Sequence, residues 1–340
     1  MTNFMVDIGG RVNNTQLPLS KHLWALFETV VNSIQSIEES SISNGYIEIY
    51  AQRLNYEQMK FDAMNAHANG EVYKPELAAF ESFSVTDNGC GFTDDNYLSF
   101  CTADSMLKAN KGCKGIGRFL WLKSFESAKV ESNFNESGVW RKRIFEFSTT
   151  GVNPDDNLSS SDVAECKTVV TLNGFKSLYR DKCPKSLEVI ARRIIEHCLV
   201  YFLLSKCPRI VLKDSLGETF VLNQLYESSV QDSLHQDRFD IEENKFIIYH
   251  VKMPEGASAH ELHLCANDRE VQSLDLKNVF PNLQRKIADD TDKGFFYCGY
   301  ITGDYLDANV NSSRTEFIFA DERQLEIENN VPAQELIEAA

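Results

Sequence analysis

The run from Lys21 to about Glu39 constrains this chain more than any other. Leu23, Trp24, Leu26, Phe27, Val30, Val31, Ile34 and Ile37 wrap around most of a helix circumference, leaving no broad polar face. Such a helix must lie between other layers, so the chain has to supply a sheet to cover it. Leu17-Pro18-Leu19-Ser20 leads into the run, with Ser20 the expected N-cap. Among its polar residues two stand out. Glu28 and Asn32, four apart, share one face. Buried polar groups cost several kcal/mol unless partnered, so the two either satisfy each other inside the fold or face a ligand.

Strands are expected at Tyr46–Ala51 and Ser82–Thr86, with a helix-and-loop insertion over 52–80 between them. A Gly- and Lys-containing loop follows over 93–117, then a second apolar helix from Arg118 to Phe125. Ser127–Asn133, Trp140–Ser148 and Lys167–Leu172 alternate like antiparallel strands, with a surface loop at Gly151–Asp162. Helices interleaved with these strands predict an α+β fold, an α/β sandwich with helices on one face of a mixed sheet. The length of 340 residues suits two domains. A boundary near Tyr179–Pro184 gives a first domain over 1–180 and a second over 181–325. The second holds a helix at Leu187–Ser205, strands at Arg209–Leu212, Lys245–Met253, Leu262–Ala266 and Gly294–Thr302, and a helix at Gln272–Leu283. Residues 326–340 form an acidic tail that ends without an obvious stop.

Three segments carry chemistry. Asp87-Asn88-Gly89-Cys90-Gly91-Phe92 directly follows a strand. It reads either as a tight turn or as a carboxylate placed to accept a hydrogen bond from an exocyclic amine, with glycines admitting a ligand to the backbone. Lys111-Gly112-Cys113-Lys114-Gly115-Ile116-Gly117-Arg118-Phe119 opens a helix, where exposed N–H groups and two cations favour an anion. Its spacing fits neither a dinucleotide fingerprint nor a P-loop. His260, His263 and Cys265 form a third group. In a strand, residues three apart face opposite sides, which argues against a metal cluster.

In this order, helix ExxxN, strand-DxGxG and GxxGxG-helix together resemble the ATP-binding (Bergerat) domain of the GHKL superfamily: gyrase, the ninety-kilodalton heat-shock chaperones, histidine kinases and MutL relatives. The resemblance implies Glu28 as general base for water and Asn32 as the Mg²⁺ ligand. It implies Asp87 as the adenine reader, with Gly89 and Gly91 shaping the pocket. Lys114, Gly115, Ile116, Gly117 and Arg118 would line the phosphates beneath a lid over 93–117. Thr168 matches the threonine that helps hold an adenine-bound water, although Lys167 replaces the family's preceding glycine. Leu264–Val271 resembles a strand-turn of the S5-like transducer domain in MutL relatives, with Asp268 in place of a glycine. Asn311–Phe317 resembles the chaperone and MORC segment whose arginine, here Arg314, reaches the γ-phosphate; Lys293 and Arg269 are the next candidates for that role. The 52–80 insertion has no counterpart.

The resemblance also implies an activity: an ATPase head using ATP and Mg²⁺, closest to chaperone-like or MORC-like members and associating as an ATP-dependent homodimer. The alternatives are a nucleotide-gated interaction module with little turnover and a DNA-clamp ATPase, in either case compatible with phage defence. A histidine kinase is disfavoured, since Glu28 suits hydrolysis and a transducer-like region comes after the nucleotide domain. Fifty acidic against thirty-four basic residues give −16, which disfavours a basic DNA-binding groove. Nine scattered cysteines without a CxxC pair, together with the absence of a leader-like or membrane-spanning apolar run, lead to an expectation of a reduced, cytoplasmic protein.

Overall fold

The computed structural model describes residues 7–54, 77–102, 117–229, 234–253, 259–266, 269–283, 285–288, 294–309 and 317. Along the chain run α1 (Ile8–Asn14), α2 (Trp24–Ser40), β1 (Tyr46–Arg53), β2 (Phe80–Asp87), α3 (Asp94–Cys101), α4 (Gly117–Ser124), β3 (Phe125–Glu136) and β4 (Val139–Ser148). There follow β5 (Gly151–Asn153), β6 (Leu158–Ser160), β7 (Lys167–Phe175), α5 (Ser177–Arg180), α6 (Leu187–His197), α7 (Leu199–Leu203), β8 (Arg209–Asp214), β9 (Thr219–Val221) and α8 (Leu222–Ser229). The rest comprises β10 (His235–Ile241), β11 (Asn244–Met253), β12 (Glu261–Ala266), β13 (Arg269–Asp275), β14 (Ile287–Ala288), β15 (Gly294–Thr302) and α9 (Asp304–Ala308). The described residues make a mixed α/β structure with two mostly antiparallel sheets, one in each of two compact units.

In the first unit the sheet order is β5-β4-β3-β7-β2-β1-β8-β9, with β6 also pairing β4. Ser137 and Gly138, both at positive φ, make the two-residue turn that joins β3 to β4. One face of the sheet is built in rows, because residues two apart on each strand point the same way. Ala51, Phe83, Leu172, Ala128 and Phe147 are cross-strand neighbours in one row, and Ile49, Val85, Val170, Val130 and Phe145 in the next. All ten are buried. Helix α2 covers β1 and β2, α4 packs on α2 and β3, and α1 packs on α4.

Several expectations are corrected. Strand β8 pairs in parallel with β1, Ile47 opposite Ile210 and Ile49 opposite Leu212, so 208–222 belong to the first unit rather than the second. The division falls after Ile194, inside α6. The single helix expected over Leu187–Ser205 breaks at Cys198 into α6 and α7. The expected loop over 151–162 contains β5 and β6. Ser20 caps nothing: it lies in a 3-10 turn, Leu19–Lys21, and α2 begins three residues beyond that turn. Much of the 52–80 insertion, 55–76, is outside the described residues.

The second unit has a sheet ordered β10-β11-β15-β12-β13, with β14 on β15. Its core joins Phe246, Ile248, Leu262, Leu264 and Ile301 to Tyr305 and Leu306 of α9. Gln272–Leu283, expected as a helix, instead contains the second half of β13 and a 3-10 turn at Leu276–Asn278. The pairing shifts register between Leu264 and Cys265, leaving Val271 as an extra residue. That bulge breaks the strict alternation by which a strand is recognised.

The junction of β1 with β8 holds a fully buried ion pair. Arg53 Nε donates to Asp214 Oδ2 at 2.7 Å, and both side chains are 0% exposed. Arg53 Nη1 also donates to the carbonyls of Ala78 and Lys185, and Asp214 Oδ1 accepts from the N–H groups of Leu216 and Glu218. Removing one partner strands the other charge. Asp214→Leu alone should therefore destabilise the protein by about 3–5 kcal/mol, and the double change Arg53→Met/Asp214→Leu by clearly less. Urea unfolding of the three proteins measures this.

Candidate functional site

The third row of the first sheet's buried face is different: Ile47, Asp87, Thr168, Ser132 and Arg143 are neighbours across five strands. All five are buried, yet four are polar. Asp87 ends an apolar alternation after Phe83 and Val85, Thr168 and Arg143 each stand before one, and Ser132 interrupts one between Val130 and Phe134. The sheet thus carries a polar strip along one end of its core face.

Helix α2 supplies the opposite wall. Ser33 Oγ donates to Asp87 Oδ2 at 2.8 Å, and the Gly89 N–H donates to Oδ1 at 2.9 Å. The turn after β2 lies directly on the helix. A Cβ at Gly89 would stand 2.3 Å from Ser36 Oγ and 2.6 Å from that residue's carbonyl carbon, so only glycine fits. The Cys90 N–H donates to the Ser36 carbonyl at 3.1 Å. Gly91 has φ +75, and a Cβ there would meet Phe134 and Ser132 Oγ at 2.8 Å. Beyond it, the Phe92 N–H donates to Ser132 Oγ at 2.9 Å, and Arg143 Nη1 donates to the carbonyls of Phe92 and Thr93. Ser132 Oγ lies 2.9 Å from Thr168 Oγ1. The turn is thereby fixed at both ends before any ligand arrives.

Burial pushes the Asp87 carboxyl up to about 6, against the opposing pull of its bonds from Gly89 and Ser33. Two hydrogen bonds are few for a buried carboxylate with about four acceptor positions. Capacity remains for a donor from outside.

Of the other expected site residues, Glu28 lies against the start of α4: a Cβ on Gly117 would be 2.6 Å from Glu28 Oε2. Glu28 and Ser33 are separated by about 7.5 Å along the helix axis, at about 1.5 Å per residue. Asn32 is exposed, one turn beyond Glu28. Its amide oxygen is a hard donor open to solvent, which suits Mg²⁺, a cation that keeps several of its waters. Arg118, expected to line the phosphates, stands at the start of α4. Buried, it donates to the carbonyls of Ser99, Phe100 and Thr102 at the end of α3. The unpaired C=O groups of a helix end are natural partners for a guanidinium. Helix α3 occupies the first part of the expected 93–117 loop, capped by Thr93 accepting from the Asn96 N–H. Lys114, Gly115, Ile116, Lys293 and Arg314 lie outside the described residues, as does the Arg269 side chain.

Sequence reasoning missed Ser33, Ser132 and Arg143. Ser33 follows Asn32 directly, but the run also holds Thr29, Gln35 and Ser36, so nothing local singled it out. The other two could be found only by aligning the strands, since each alone is one polar residue within a strand. His260 bonds the Arg285 carbonyl and the Tyr297 N–H, while His263 stacks on Tyr300 at 4.4 Å. No family model matches this sequence, and no curated protein matches it. Among the described residues no helix is long and apolar enough to cross a membrane.

Because Asp87 holds its proton more tightly in the folded protein than at its ordinary 3.8, it favours folding below that value. That contribution is lost as pH rises through about 6. The rise amounts to about 3 kcal/mol. Urea unfolding between pH 4 and pH 7 should show this fall in stability, and Asp87→Asn should flatten it.

Proposed function

We propose that the chain is an ATP-binding and hydrolysing head of the GHKL type, coupling Mg-ATP binding to lid closure and dimerisation. One observation carries the reading: a buried carboxylate with spare acceptor capacity, flanked by a hydroxyl and fronted by two close-packed glycines. In this reading Asp87 accepts from the adenine amine and Thr168 stands beside it on the ring edge. Glu28 of α2, lying against the start of α4, accepts a proton from the attacking water. Asn32 holds Mg²⁺, which when bound neutralises charge on the phosphates. The helices packed on a mixed sheet support the GHKL sandwich, and a second unit coming later in the sequence supports a transducer domain like that superfamily's.

One observation favours the alternative, a nucleotide-gated module that turns over little. Arg118, a cation expected near the phosphates, is committed to carbonyls at the end of α3. A DNA-clamp role remains disfavoured by the charge of −16.

Asp87→Asn should weaken binding of a non-hydrolysable ATP analogue by roughly 1.5–3 kcal/mol, at least tenfold, by calorimetry. Unchanged affinity in the folded variant removes Asp87 from the site. Glu28→Ala should keep nucleotide affinity and abolish phosphate release; wild-type release that is already negligible selects the gated module. Sedimentation should show association with the ATP analogue and not with ADP, and equal behaviour in both rejects a γ-phosphate switch.

A further inference from the structure

Strand β10 ends the second unit's sheet, and among the described residues it pairs on one side only, with β11. Ile241 and Asn244 lie opposite each other across the two-residue turn Glu242-Glu243, with Glu242 at positive φ. Such a turn closes on a hydrogen-bonded pair, and along an antiparallel ladder bonded and non-bonded pairs alternate. Asp237 and Phe239 therefore bond to β11, while the N–H and C=O groups of Gln236, Arg238 and Asp240 face outward. All three residues are exposed. Phe239 lies on the core side, stacked on Phe246 with ring centroids 5.3 Å apart, yet it is only partly buried. Charged side chains on an edge strand ordinarily guard against pairing with another chain. On β10 the signs alternate, and one register defeats the guard.

We propose that β10 is a self-pairing edge, at which two copies of this chain join antiparallel about Phe239 and extend the second unit's sheet across both. Copies related by a two-fold axis set one residue of the strand opposite itself. An axis at Asp237, Arg238 or Asp240 sets a charge against its own copy, and one at Gln236 overlaps only residues 235–237. An axis at Phe239 overlaps 237–241 and sets Arg238 of each copy opposite Asp240 of the other. Those two residues then exchange both of their outward N–H···O bonds. Asp240 already stands opposite Lys245 in its own chain, so charges alternate across the joint on that face. On the core face the Phe246–Phe239 stack continues into the same stack of the second copy. There Phe239 meets its own copy in a non-bonded pair, where side chains approach most closely. Asp237 would stand opposite Ile241, its carboxylate already 3.3 Å from the Nε2 atoms of His235 and His250. Five residue pairs make a small contact, of the weak and reversible class. The charge of −16 opposes any contact between copies, so this one depends on the local match of signs. It lies wholly in the second unit and is independent of the nucleotide reading.

The test is sedimentation of the nucleotide-free full chain over a concentration series, carried above the concentrations of the nucleotide comparison. The wild type should associate reversibly to a dimer. Arg238→Asp and Asp240→Arg each place like charges opposite one another at two points, and each should weaken association about tenfold or more. Mixed in equal amounts, the two variants should associate with each other as the wild type does, because every pair across the joint is again of opposite sign. The double variant Arg238→Asp/Asp240→Arg should recover association for the same reason. If a charge reversal does not fold, the neutral variants Arg238→Gln and Asp240→Asn should each weaken association by a smaller factor. A wild type that stays monomeric throughout the series overturns the proposal, as do single variants that associate like the wild type. Loss in the single variants without recovery in the mixture or the double variant overturns the register about Phe239, and the proposal with it.

Discussion

The Asp87 carboxylate is the point at which helix, strand and turn of the first unit meet. Its two oxygens are held by Ser33 from α2 and by the Gly89 N–H from the turn that Asp87 itself begins. The bond from Ser33 brings the end of β2 against α2, and the turn that follows lies so close to the helix that Gly89 can carry no side chain. The same approach aims the Phe92 N–H at Ser132 and brings the carbonyls of Phe92 and Thr93 within reach of Arg143. Burying a carboxylate in this position costs stability, and the hydrogen bonds offset only part of that cost. A fold chosen for stability alone would put an apolar residue there to continue the alternation of Phe83 and Val85.

The parts of this site that were legible in the sequence are the local ones. Helix α2 announces itself through the apolar circumference that also picks out Glu28 and Asn32. The turn announces itself through Asp87, Gly89 and Gly91, within five residues. Ser132 and Arg143 were invisible because they join the site through strand register, a relation between residues far apart in sequence. Parallel pairing of β8 with β1 was hidden for the same reason: Arg209–Leu212 reads correctly as a strand, but nothing local says which sheet receives it. Helix α3 was obscured by the Gly- and Lys-rich stretch after it, although Thr93-Asp94-Asp95 is a sound helix start. The end of β13 runs straight into a 3-10 turn, and the apolar residues Leu276, Val279, Phe280 and Leu283 in and after that turn counterfeit a helical spacing.

Arg53 and Arg143 are two buried guanidinium groups in the same sheet, and they differ instructively. Arg53 meets a carboxylate as buried as itself, which makes its pair an internal strut between β1 and β8. Arg143 reaches backbone carbonyls and Asp94, a residue more than half exposed. Its position therefore depends on a surface turn staying in place. Movement of that turn would expose the end of the polar row, so the row's solvation and the turn's position are coupled. The Arg53 strut has no such dependence.

The contacts of Arg118 bear on how this protein can vary. Standing at the start of α4, it grips the final carbonyls of α3 and so holds Thr102 and Gly117 at neighbouring points. In sequence, residues 103–116 join these two points. The entropy of connecting two fixed points by a chain grows only with the logarithm of the chain's length, about 0.6 kcal/mol for each doubling. Relatives of this protein could therefore lengthen or shorten that stretch with little penalty to the sheet beneath, provided the arginine and the helix end it holds are kept together.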